Sequence, residues 1–283
     1  VFGGLLIQII WVYRLSRQLD RRIESARVGY LLWSGAFAVG AMGLEMAFID
    51  WNIYRRLGRL FLRLFEEFED LPVYLAPDVS RSMFHGNQPR AHAGLRAAFA
   101  LAAAALNHHD SVGLFPFADE LRVALKPRSG RVRMMRMAQA LAAQQPGGTT
   151  DFAKSLGKFA RLGMRSGLLI VVSDFFDPGG IEAVRESLSR QRHRLLLVQL
   201  TRKTDQFPDL SGDLLLRDCE NGQEHDVSVT PDVLAAYRRA YESFEQGLHK
   251  LAMSQQAGLV RVDVDEPVVP QLSTLFESGA FVV

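Results

Sequence analysis

The sequence predicts an α/β fold: a mostly parallel sheet with helices on both faces, preceded by a helical N-terminal segment. Three observations carry this. Short apolar runs at residues 73–76, 167–172 and 194–200 read as buried strands, being too short for helices and bounded by Pro, Gly or charge. Stretches with helical spacing separate them, and alternation of strand and helix argues for parallel strands joined by crossovers. Two of the runs also stop on a carboxylate, at Asp78 and Asp174. In a parallel sheet both would reach the same edge.

The composition supports a globular chain. It has 283 residues, 48% hydrophobic and 23% charged, which is enough for one large α/β domain and an appendage. A formal net charge of +2 gives no case for nucleic acid as a partner. The single cysteine, Cys219, excludes an internal disulfide and fits a reducing, cytoplasmic setting. Its neighbours Asp218 and Glu220 would not activate a thiol.

In chain order, residues 1–49 form an atypical apolar and basic segment. Residues 1–13 are apolar but short for a membrane span, and no basic start precedes them, unlike an intact signal peptide. Residues 14–27 are mostly basic, and residues 28–44 carry no charge. Arg55, Arg56, Arg59 and Arg63 follow, so the positive-inside tendency allows at most one crossing and leaves membrane association through residues 1–49 open. Residues 50–70 are expected to hold an amphipathic entry helix, with Leu57, Leu60, Phe61, Leu64, Phe65 and Phe68 at helical spacing. The acidic end, Glu66 to Asp70, favours packing against a domain over lying on a membrane.

The main domain is expected over residues 71–283. After the first strand comes an Ala-rich helix, residues 90–107, with the stripe Leu95, Phe99, Ala102 and Leu106. Residues 112–117 and 121–125 read as an edge hairpin around Ala118-Asp119-Glu120. Helices are expected at 131–143, 151–162 and 181–190, and strands at 167–174 and 194–200. Residues 214–216 and 226–229 suggest a small hairpin across Asn221-Gly222. Thr230-Pro231 caps a long helix with the stripe Leu234, Tyr237, Tyr241, Phe244, Leu248 and Leu251. A strand at 259–264 and a helix at 269–277 complete the pattern.

The chemistry gathers at the strand ends, where open α/β sheets bind ligands. Asp78 is followed at alternate positions by Ser80 and Ser82. A glycine turn, Pro146-Gly-Gly-Thr-Thr-Asp151, offers further hydroxyls. These are hard oxygen donors, suited to Mg²⁺ or Mn²⁺ rather than zinc. Helix capping would account for each Asp or Ser singly. Two carboxylates on one sheet edge favour the cation, because paired buried charges need a cation or a proton.

Asp78-x-Ser80-x-Ser82, then Gly-Gly-Thr-Thr-Asp, then Ser173-Asp174, together resemble the metal-ion-dependent adhesion site of von Willebrand factor A domains. The setting, from Phe-Ile-Asp-Trp-Asn-Ile-Tyr at 48–54 through Leu75 to Ser-Asp-Phe-Phe-Asp at 173–177, is similar to the bacterial family called domain of unknown function 58. Related sequences carry Gly-Asp-Asp and an Arg before the Ile-Asp-Trp, where this chain has Gly43-Leu-Glu-Met-Ala47. The resemblance implies a Rossmann-like von Willebrand factor A domain with Ser80, Ser82 and Thr150 as direct ligands. It implies Asp78 and Asp174 as outer carboxylates acting through water. Thr149 rivals Thr150, which is preferred because it directly precedes Asp151.

The resemblance further implies a non-enzymatic, divalent-metal-dependent protein-binding module. It would assist assembly or maturation of other proteins beside a MoxR-type AAA+ ATPase, with a partner's acidic side chain completing the metal shell. Met83, Phe84, Phe175 and Phe176 flank the site and would supply either a partner-binding surface or core. The alternative is a metal-dependent phosphoester hydrolase using Asp78 and Asp174. Phosphatases with an aspartyl nucleophile often carry a second carboxylate two residues on, and here that position is Ser80. There is no P-loop and no nucleophile elbow. The basic group Lys126, Arg128, Arg131, Arg133 and Arg136 reads as a solvated face without interleaved aromatics.

Overall fold

The computed structural model describes residues 48–49, 62–63 and 71–277, and the chain falls into two units, Arg17–Asp70 and Val1–Ser16 with Leu71–Val283. In the smaller unit, β1 (Phe48–Ile49) pairs antiparallel with β2 (Leu62–Arg63). The entry helix expected over 50–70 is corrected at residues 62 and 63, where cross-strand pairing overrides a helical sequence pattern. The rest of that helix, and residues 1–47 with their membrane question, lie outside the described residues.

The larger unit is built on six strands: β3 (Pro72–Pro77), β4 (Ser111–Leu114), β5 (Leu125–Arg128), β6 (Leu168–Ser173), β7 (Arg194–Thr201) and β10 (Gly258–Asp263). Their order is β10-β7-β6-β3-β4-β5. All neighbours are parallel except β4 and β5. From β3 the chain runs outward to β4 and β5, then returns to start β6 on the other side of β3. The switch point of this doubly wound sheet is therefore the crevice between β3 and β6, where such sheets bind ligands.

Alternation along the strands fills two cores. Val73, Leu75, Ile170, Val172, Leu196 and Val198 face one side, against α1 (Arg90–Asn107), α2 (Arg131–Ala142) and α7 (Val268–Glu277). Tyr74, Ala76, Leu169, Val171, Leu195 and Leu197 face the other, against α3 (Phe152–Arg161), α4 (Gly180–Ser189) and α6 (Pro231–Ser254). A short helix, α5 (Lys203–Gln206), follows β7. The hairpin of β8 (Gly212–Arg217) and β9 (Glu224–Val229) forms a separate two-stranded sheet. Among the described residues, no helix is long and apolar enough to cross a membrane.

Two expectations shift. The edge strand begins at Leu125 rather than covering 121–125: Leu121 is fully buried in a single bridge to Phe117, so its apolar character marks a loop plug. Arg133 is buried rather than solvated. Its guanidinium donates to Val112 O at 3.2 Å and also to Lys126 O, which ties α2 to the β4–β5 edge.

Candidate metal centre

The register of β3 against β6 brings Pro77 level with Val172, so Asp78 and Ser173 follow side by side. Asp78 N–H donates to Val172 O at 2.8 Å, and Val79 N–H to Phe117 O at 2.8 Å. The chain thus holds its extended course to the crevice before turning into the 3₁₀ turn Ser82–Phe84. Asp78 is buried, and both its oxygens accept hydrogen bonds. Oδ1 takes Ser80 N–H at 2.9 Å and Oδ2 takes the Ser173 hydroxyl at 2.7 Å. Ser80 is fully buried, with its Oγ 3.0 Å from Ser82 Oγ.

The glycine turn closes onto this loop. Gly147 N–H donates to Val79 O at 2.6 Å, and Arg81 N–H donates to Gly148 O at 3.0 Å. Side chains would prevent the approach. A Cβ on Gly147 would lie 2.6 Å from Ala118 Cβ, and one on Gly148 would lie 2.7 Å from Asp119 Cγ. The approach buries Thr150 beside Ser82, while Thr149 stays half-buried. Asp151 caps α3 by accepting Lys154 N–H at 2.8 Å, which fixes the direction in which the chain leaves Thr150.

A residue without a sequence expectation enters from the β8–β9 turn. Glu220 Oε1 accepts the Ser82 hydroxyl at 2.7 Å and the Thr150 hydroxyl at 3.2 Å, and Oε2 accepts Thr150 N–H at 3.1 Å. The Arg81 guanidinium donates to Glu220 O at 2.9 Å. Thus one carboxylate touches two of the three hydroxyls expected as ligands.

Asp174 lies just past β6, where Phe175 takes a left-handed conformation, φ 63°. That bend lets Phe176 N–H reach Asp174 Oδ1 at 3.2 Å. Asp174 Oδ2 faces the Arg90 guanidinium at 3.4 Å, and Arg90 also pairs with Asp205. Arg90 Nε is buried without a hydrogen-bond partner.

Burial pushes the Asp78 carboxyl up to about 6; its hydrogen bonds from Ser173 and Ser80 oppose the rise, and the Glu220 charge adds to it. Burial pushes Asp174 up to about 7, with the Asp78 charge adding and Arg90 opposing. These are carboxylates deprived of water and set close together, a state a cation or a proton relieves. The donor set fits a small hard ion: three hydroxyls and two buried carboxylates, with no thiolate or imidazole. Among the described residues, no three His, Cys, Asp or Glu gather as they would in a site of those ligands alone. Hydroxyls would therefore have to supply much of the shell.

Asp78, Ser80, Ser82, Thr150 and Asp174 thus meet at one sheet edge. The four apolar residues expected beside them do not form one surface. Met83 and Phe175 are fully buried, Met83 in the core under α1 and Phe175 stacked on Phe152 at 5.7 Å. This corrects their expected role as contact residues: an apolar side chain that finds a core is lost to the surface. Phe84 is half-buried against the same core as Met83. Phe176 alone is exposed, at 41%, stacked on Phe244 at 4.7 Å. Sequence reasoning missed Arg90 and Glu220, which carry no local signal. The role of Ser173 in orienting Asp78 follows only from the strand register.

Residues 41–247 match the family described as "Protein of unknown function DUF58". Uncharacterized proteins of Mycobacterium bovis (Mb1516) and Mycobacterium tuberculosis (Rv1480) are each 25% identical over 204 residues, covering 70% of this chain. The chain spans 64% of the length of these curated relatives. Among solved structures, BatB from Bacteroides thetaiotaomicron aligns with TM-score 0.47 at 16% identity, over 74% of this chain and 98% of its own. An aerotolerance-related membrane protein from Bacteroides fragilis aligns with TM-score 0.42 at 16% identity, over the same shares. The family match covers most of the chain, and the chain belongs to the DUF58 family of proteins of unknown function.

Proposed function

We propose that the larger unit is a von Willebrand factor A-type module that binds a protein partner through a divalent metal. The observation that supports this best is the convergence of Asp78, Ser80, Ser82 and Thr150, from two separate loops, at the switch point of the sheet. Ser80, Ser82 and Thr150 would hold Mg²⁺ or Mn²⁺ directly, and Asp78 and Asp174 would hold its water ligands. When bound, the ion supplies an exchangeable position for an incoming carboxylate. The chain's own residues orient that position. Ser173 fixes Asp78, Gly147 and Gly148 bring Thr150 in, and Arg90 anchors Asp174.

The resemblance to the family makes a MoxR-type AAA+ ATPase the proposed partner, with an acidic side chain reading the metal. The alternative, phosphoester hydrolysis, needs a carboxylate free to attack or to accept a proton. Ser173 and Ser80 fix both Asp78 oxygens in place and burial keeps bulk water from them, which suits a held outer-shell anion better than an attacking nucleophile and favours the binding module over the hydrolase.

Partner capture with Mg²⁺ and with chelator tests the reading. Partners should be lost on chelation and in Ser80→Ala. A partner set indifferent to both contradicts metal-dependent binding, and turnover of a phosphoester that disappears in both Asp78→Ala and Asp174→Ala would favour the hydrolase.

A further inference from the structure

The metal-binding reading leaves Glu220 without a task, although its carboxylate accepts three hydrogen bonds at the centre. Among the described residues, β8 and β9 contribute nothing to either core, and Leu215 on the hairpin is 59% exposed. Beside the turn lies an open cavity of about 570 Å³, lined by Arg81, His85, Arg217, Asp218 and Cys219 among others. The tip therefore meets the domain through polar contacts.

The turn is shaped for presentation. Asp218 Oδ1 accepts Glu220 N–H at 2.7 Å, Asp218 N–H donates to Gln223 O at 2.8 Å, and Gly222 N–H donates to Asp218 O at 2.9 Å. With the turn locked in this way, the Glu220 side chain points at Ser82 and Thr150, and Arg81 secures its main chain.

We propose that Glu220 is a metal ligand supplied by the chain itself, and that the β8–β9 hairpin is a plug a partner's carboxylate must displace. This rests on the metal-binding reading. Glu220 Oε1 touches Ser82 Oγ and Thr150 Oγ1, two atoms that would face the ion. It therefore sits where an incoming acidic side chain would have to sit. The ion would hold the hairpin shut, and a partner would gain the site only by outcompeting a tethered rival. Tethering makes Glu220 a competitor at an effective concentration in the millimolar range, so free acids well below that concentration would not open the site.

The test is a Mn²⁺ titration of the full chain followed by electron paramagnetic resonance, with hydrogen exchange of the 212–229 hairpin measured with and without Mn²⁺. Wild type should bind Mn²⁺ and slow exchange at the hairpin tip. Glu220→Gln and Glu220→Ala, which disturb no core residue, should bind at least about tenfold more weakly, since loss of an outer-shell partner alone typically costs that much. They should also lose the protection. Acetate at about 100 mM, above the effective concentrations typical of tethered groups, should restore affinity to Glu220→Ala, and in wild type it should remove the hairpin protection while leaving Mn²⁺ affinity unchanged. Equal Mn²⁺ affinity in wild type and both variants, with hairpin exchange indifferent to Mn²⁺, overturns the plug and leaves the five-residue metal site standing. No Mn²⁺ binding by folded wild type removes both.

Discussion

Asp174→Asn should stabilise the metal-free protein near pH 8 and at the same time abolish its response to Mn²⁺. Burial and the neighbouring Asp78 charge move this carboxyl from 3.8 to about 7. At about 1.36 kcal/mol per pH unit, that corresponds to about 4 kcal/mol. The sign follows from proton counting. Between pH 4 and pH 7 the folded state binds the proton that the unfolded state has released. The stability that goes with it is complete below about pH 4 and is lost as pH rises through 7. Asparagine stays neutral and avoids the loss; the rise to about 7 is already net of the Arg90 attraction, so giving up the 3.4 Å ion pair adds no further cost. The gain near pH 8 is then at most about 4 kcal/mol, a rise of several degrees in melting temperature. Near pH 5 the folded wild type is protonated at this site, and the gain should fall to about a third of its value near pH 8. Thermal melts of both proteins at the two pH values, with and without excess Mn²⁺, decide it. A variant less stable than wild type near pH 8, or one that keeps the full Mn²⁺ shift, would refute the assignment of Asp174 as a strained anion awaiting a cation.

Three further outcomes follow from the same geometry. Mn²⁺ affinity should climb between pH 5 and pH 8, because metal must displace protons from Asp78 at about 6 and Asp174 at about 7; a flat titration profile would place the ion elsewhere. Gly147→Ala puts a Cβ 2.6 Å from Ala118 Cβ, which cannot rotate away, so it should cost about 1–3 kcal/mol and weaken Mn²⁺ binding by shifting Thr150. Unchanged denaturant midpoint and affinity would show that the turn can slide. Arg90→Ala should destabilise more near pH 8 than near pH 5, since Asp174 and Asp205 lose their shared cation; urea melts at the two pH values measure the difference.

The fold was largely legible because its strands are buried on both faces. Residues 73–76 and 168–172 are apolar throughout, and only a strand between two helical layers needs that. Thr230 accepting Val233 N–H ahead of Pro231, and Asn221-Gly222 between β8 and β9, are local signals that held in three dimensions. The edge strand was misplaced because Leu121, which looked like strand alternation, is a buried loop residue. The half-buried β5 tolerates Lys126, Pro127 and Arg128, so its composition says little. At the centre, Asp78, Ser80 and Ser82 were readable as a spacing, and Asp174 as the matching end of a second strand. Glu220 was not, being 138 residues from Ser82 and 70 from Thr150 on a surface hairpin. Nor could spacing separate Phe175 from Phe176: one φ of 63° buries the first and leaves the second on the surface.

The most direct test is anomalous scattering from a crystal of the full chain soaked in Mn²⁺. A peak about 2.2 Å from Ser80 Oγ, Ser82 Oγ and Thr150 Oγ1, with Asp78 and Asp174 reached through water, is the expected result, since Mn²⁺ takes hard oxygen donors at close to Mg²⁺ distances. A well-ordered crevice between β3 and β6 with no Mn²⁺ peak, or a peak held by residues other than these and Glu220, would contradict the metal-dependent reading.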